Sequence, residues 1–105
     1  MELTAWQREI ARFAARHGLR GEVAVRLLDL TSELGEVSKA YLLGTGYGQR
    51  PFRADASWEE EMGDLLFALL LLAEESGIEL EGALRRVLAK YEARARDHGG
   101  IGSGA

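Results

Sequence analysis

Two acidic doublets carry the chemistry open to this chain. Glu33-Leu-Gly-Glu36 and Glu61-Met-Gly-Asp64 each place two carboxylates at i,i+3 spacing beside a strongly apolar run. Residues three apart in a helix lie on neighbouring parts of one face, so each pair can aim at a common point. Four carboxylates converging from two helices make an all-oxygen cage. Such a donor set suits Mg²⁺, with Mn²⁺ as a substitute, and Mg²⁺ commonly shares its shell with substrate phosphates. The doublets therefore predict a metal site that handles phosphates.

Their placement strengthens the reading. With Leu30 as the centre of an apolar seam, Glu33 falls about 60° from it and Glu36 about 120°, so the doublet flanks a core. Glu61 and Asp64 open the most apolar helix, where the N-terminal dipole favours ionised carboxylates. Either doublet alone is equally well explained as a solvated helix surface. Acids converging at the edge of a core, however, repel one another and are costly to desolvate, and a divalent cation removes both problems.

Four helices must position these groups. In the first, Leu3, Trp6, Ile10, Phe13 and His17 recur at steps of three and four, Thr4-Ala-Trp-Gln7 fits a capping box, and Gly18 and Gly21 bracket the end. The second, from about Glu22 to Leu43, has the seam Val23, Leu27, Leu30, Leu34, Val37 and Tyr41. The third starts at Ser57-Trp-Glu-Glu60, again a capping-box pattern, and runs through the unbroken apolar block Leu65–Ala73 to a stop at Gly77. A helix apolar on every side needs cover on every side, which predicts a second subunit against it. The fourth turns Leu80, Leu84, Val87, Leu88 and Tyr91 inward and carries Arg86, Lys90 and Arg94 along a basic stripe. The glycines, Pro51 and the arginines of residues 44–56 mark a loop. The spacing thus predicts one all-α domain over residues 1–97, a four-helix bundle assembled as a dimer or tetramer, with a flexible glycine-rich tail over residues 98–105.

Composition narrows the function classes. The net charge of −4 argues against a grip on a nucleic-acid backbone, although a metal site can be acidic and still hold a triphosphate. Without cysteine there is no thiol nucleophile, disulfide or Cys-ligated zinc, and the reducing cytoplasm is the default compartment. The apolar block Leu65–Ala73 falls far short of the roughly 20 residues that span a bilayer, so no membrane partner is expected.

The doublets, their order and their flanks resemble the MazG-like all-α nucleotide pyrophosphohydrolase superfamily, whose signature is a Glu-x-x-Glu helix followed by a Glu-x-x-Asp helix. The matching residues are Glu33 and Glu36, then Glu61 and Asp64 within Trp58-Glu-Glu-Glu-Met-Gly-Asp-Leu-Leu-Phe67. The likeness extends through Gly77-Ile-Glu-Leu-Glu-Gly-Ala-Leu84 and Lys90-Tyr-Glu-Ala-Arg94, covering most of residues 27–96. One departure is Ser32, where many members carry a further acid.

The resemblance implies hydrolysis of a nucleoside triphosphate to the monophosphate and pyrophosphate, with Mg²⁺ held by Glu33, Glu36, Glu61 and Asp64. Glu33 or Glu36 would double as the base. Lys90 and Arg94, with Lys39 as a weaker candidate, would bind phosphates. Narrower alternatives are a phosphoribosyl-ATP or a dUTP/dCTP pyrophosphohydrolase, and a different one is a non-catalytic helical interaction module. Arg50 and Arg53 read as soluble loop residues, Trp6 as core and Trp58 as first-turn packing. The Gly44-Thr-Gly-Tyr-Gly48 run lacks the ending of a phosphate loop, and the histidines lack the spacing of a di-iron bundle.

Overall fold

The computed structural model describes residues 2–19 and 21–98, and these form four α-helices with no strand among them. They are α1 (Leu3–Arg16), α2 (Val23–Gly44), α3 (Ala56–Glu75) and α4 (Leu80–His98). The glycine-rich tail expected after residue 97 lies almost wholly outside the described residues.

α2 and α3 pack together along their length, α1 lies across α3, and α4 leans on α1. Three rungs show that α2 and α3 run antiparallel. Arg26 near the start of α2 pairs with Glu75 at the end of α3, at 3.7 Å. Glu33 meets Glu61 and Asp64 in the middle, and Tyr41 and Trp58 share a cleft at the loop end. The face of α2 turned inward is Arg26, Leu30, Glu33, Val37 and Ala40. This corrects the seam expected from periodicity: Leu27, Leu34 and Tyr41 are about half exposed, and Val37 is its one buried member.

Both expected capping boxes are replaced. The N-cap of α3 is Asp55, which accepts from the Trp58 backbone N–H at 2.9 Å, so the helix begins earlier than Ser57. At its other end Gly77 turns to φ 70 and the Ile78 N–H reaches back to the Ala73 carbonyl at 2.9 Å, the stop expected at that glycine. Thr4 and Gln7 do not cap α1. Thr4 donates to Glu79 at 2.6 Å, and Glu79 in turn accepts from the Gly82 N–H in the first turn of α4.

Gln7, only 4% exposed, donates to the Ile78 carbonyl at 2.6 Å and accepts from the Leu80 N–H at 3.1 Å. One side-chain amide thus satisfies two backbone groups of the α3–α4 turn and fixes where α4 starts.

The turn after α2 is ordered by Thr45, 1% exposed, whose hydroxyl donates to the Tyr41 carbonyl and accepts from the Gly48 N–H, both at 3.0 Å. Gly46, at φ 57, lies under the Arg50 guanidinium. A Cβ there would stand 2.7 Å from Arg50 Nη1.

Replacing Gln7 with Ala should lower stability by about 2 kcal/mol, because two backbone groups lose their partner. Gln7→Glu should not rescue it, since a carboxylate cannot donate to Ile78. Urea denaturation of both variants checks this; a Gln7→Ala protein as stable as the parent would show that the clamp carries no weight.

Candidate metal centre

Three of the four predicted carboxylates come together. One oxygen from each of Glu33, Glu61 and Asp64 lies within 4.8 Å of the other two. Glu33 and Glu61 are half-buried between the helices while Asp64 is exposed. The helix geometry explains the set. Glu33 sits on the packed face of α2, and the Asp55 cap sets the register in which Glu61 and Asp64 follow on α3. Glu36, a further turn round α2, is exposed and stands outside the triple, near enough for its charge to be felt by both Glu33 and Glu61.

The cluster is electrostatically uncompensated. Among the described residues none of the ion pairs involves Glu33, Glu36, Glu61 or Asp64. Desolvation raises the Glu33 carboxyl above its ordinary value, and the charges of Asp29, Asp64, Glu61 and Glu36 push the same way. Glu61 is raised by desolvation, then by Asp64, Glu36 and Glu60. Asp29 is a contributor that the doublet pattern overlooked. Its signal was the i,i+4 step to Glu33, which places the two on one face.

An all-carboxylate set of this kind fits a hard cation. In an octahedral Mg²⁺ shell adjacent ligands stand about 3 Å apart and opposite ones about 4.2 Å, so carboxylates within 4.8 Å of one another reach a common shell by modest side-chain adjustment. The same donors suit Mn²⁺ and offer nothing soft for copper or zinc.

None of the expected phosphate-binding cations is ion-paired with these acids among the described residues. Lys39 is exposed on α2 one turn past Glu36. Lys90 and Arg94 lie over the Tyr91 ring, at 5.0 and 5.6 Å, on a helix that has no extensive contact with α2 or α3. Arg50 donates to the Leu43 carbonyl at 3.3 Å and serves the loop. Trp6, expected in the core, is 47% exposed and lines a shallow apolar hollow with Leu3, Ile10 and Leu66.

Residues 22–98 match the model of the MazG nucleotide pyrophosphohydrolase domain. The chain belongs to that family. The matched span takes in α2, the loop, α3 and α4, hence every acid of the cluster. YpjD of Bacillus subtilis (strain 168), an uncharacterised protein, is 44% identical over 71 residues, covering 65% of this chain and 62% of YpjD. The chain thus spans about three-fifths of that relative. The crystal structure of Bacillus subtilis YpjD, provisionally assigned there as a pyrophosphatase, superposes with a TM-score of 0.74 at 33% identity. The superposition covers 87% of this chain and 95% of that one. No helix among the described residues of this MazG-family chain is long and apolar enough to cross a membrane.

The raised carboxyls have a readable consequence. Just above pH 4.5 the folded chain holds more protons than the unfolded one, so metal-free stability falls as pH rises through the folded-state values. Glu9 and Glu79, which are depressed by their partners, act only below that window. In chelator, Tm should therefore be lower near neutral pH than at about pH 5.

Added Mg²⁺ should reverse this at neutral pH, by roughly 2–3 kcal/mol at a hundredfold excess over its Kd. Glu33→Gln should raise the metal-free Tm at neutral pH and abolish the gain from Mg²⁺. Thermal melts with and without chelator check both, and a lower metal-free Tm for Glu33→Gln would show that the acids do not repel.

Proposed function

We propose that the chain is a divalent-cation-dependent nucleoside triphosphate pyrophosphohydrolase, converting a (d)NTP to the (d)NMP and pyrophosphate as a homo-dimer or homo-tetramer. The observation that carries this is the convergence of Glu33, Glu61 and Asp64 from two helices with no basic partner among the described residues, in a chain of the MazG family.

In this reading Glu33, Glu61 and Asp64 hold Mg²⁺, or Mn²⁺ in its place, with Glu36 completing the set. A bound divalent cation supplies neutralisation of phosphate oxygens and acidification of water. Glu36 doubles as the best placed proton acceptor, because it adjoins the cluster and is the α2 acid exposed to water there. A water adds to the α-phosphorus, its proton passes to the carboxylate, and the bond to the bridging oxygen of pyrophosphate breaks. Lys39 meets phosphates from α2. Lys90 and Arg94 lie on a helix separate from the hairpin within one chain, so they would reach phosphates in the assembled oligomer.

Exposed apolar surface supports the assembly. Met62, Leu66 and Leu69 form an open stripe on α3, and Leu84 and Leu88 another on α4, where the sequence had turned them inward. Stripes of this size on a small chain mark protein contacts.

Pyrophosphate release from a panel of nucleotides in millimolar Mg²⁺ tests the proposal. Turnover should appear, and Glu61→Gln should cut kcat at least about a hundredfold with helicity retained. Absence of hydrolysis of every nucleotide, phosphoribosyl-ATP included, would favour the non-catalytic module instead.

A further inference from the structure

One turn along the hairpin from the acids, a cleft of about 340 Å³ opens between Val37, Ser38, Tyr41 and Leu42 of α2 and Trp58 in the first turn of α3. Phe52 from the loop stacks on Tyr41, with centroids 5.2 Å apart and planes at 25°, and meets Trp58 edge-on at 5.0 Å. Phe52 does not line the cleft, so it stands behind the two rings and braces them. Tyr41 and Phe52 keep 43% and 42% of their surface exposed. Three aromatics packed as a core would not.

Position relates this surface to the acids. Val37 and Tyr41 lie four and eight residues beyond Glu33 on α2, about 6 and 12 Å along the helix axis. That span is of the order separating the phosphates from the base in an extended nucleoside triphosphate. A subunit interface laid here would have to cover the uncompensated carboxylates beside it, whereas the stripe on α3 offers apolar contact without that cost.

The cleft is also poor in groups that could read a base edge. No charged side chain lines it, and the polar ones are Ser38, the Tyr41 hydroxyl and the Trp58 indole N–H. The Ser38 proton is already given to the Leu34 carbonyl, at 3.2 Å. A site that selects one base sets fixed donors and acceptors against its edge, and it loses heavily when they go unpaired. Aromatic faces instead accept any base, because every base has a π-face.

We propose that Tyr41 and Trp58, braced by Phe52, form a nucleobase-stacking surface that makes the site tolerant of base identity. The proposal rests on the reading that triphosphates are held at Glu33, Glu61 and Asp64.

The test uses the full chain with Mg²⁺, the variants Trp58→Ala, Tyr41→Ala and Trp58→Phe, four nucleoside triphosphates, and inorganic tripolyphosphate as a competitor without a base. Both alanine variants should raise KM for all four nucleotides by similar factors, on the order of tenfold or more, with kcat little changed. The Ki of tripolyphosphate should stay constant, and Trp58→Phe should recover most of the loss. A tripolyphosphate Ki that rises in parallel, a loss confined to one base, or dissociation of the assembly by Trp58→Ala in sedimentation would each overturn the proposal.

A second arm does not need turnover. In a Trp6→Phe background Trp58 is the sole tryptophan, and nucleotides should quench its fluorescence where tripolyphosphate does not. Base-dependent quenching without hydrolysis would sink the catalytic reading and leave the stacking surface standing. Hydrolysis without such quenching would do the reverse.

Discussion

The arrangement turns on mutual repulsion among carboxylates that the α2–α3 hairpin holds at one point. Glu33, Glu61 and Asp64 are kept within 4.8 Å of one another, with partial burial and with Asp29 and Glu36 adding charge of the same sign. A surface helix would relieve this by rotating its acids toward water. The hairpin cannot, because Glu33 shares its face with Leu30 and Val37, which pack on α3. Apolar packing therefore sustains an electrostatic defect that a hard cation would relieve.

The remaining elements secure that hairpin from both ends. Arg26, bridging to Glu75, ties the open end, while Thr45 and the Arg50 guanidinium shape the turn leading into the loop. Asp55 then starts α3 in register. α1 covers one side of α3, and its Gln7 fixes the start of α4 through the Ile78–Leu80 turn. What the single chain leaves open is apolar surface on α2, α3 and α4.

Much of this was legible in the residues. Helix order, the extent of α2 to within a residue, the stop at Gly77 and the acids Glu33, Glu61 and Asp64 followed from period, punctuation and spacing. Which face of α2 packs within the chain did not. Periodicity marks apolar faces, and α2 has more apolar surface than α3 can cover, so Leu27 and Leu34 carried the same signal as the buried Val37. The role of Gln7 is not legible locally, because a capping box and an amide clamp use the same residue type. Trp6 reads as core from its position in the seam, and ring size cannot tell a buried ring from one lining an open hollow. The partners that would settle such choices are distant in sequence, and local patterns do not contain them.

The hairpin thus sets two surfaces in series, a charged one around Glu33 and an aromatic one around Tyr41 and Trp58, on the same pair of helices. The measurement that bears most directly on the charged surface is an anomalous-scattering map from crystals equilibrated with Mn²⁺. The account predicts a peak bounded by the carboxylates of Glu33, Glu61 and Asp64. No peak there at saturating Mn²⁺, or Mn²⁺ bound elsewhere with these carboxylates turned to solvent, would contradict it.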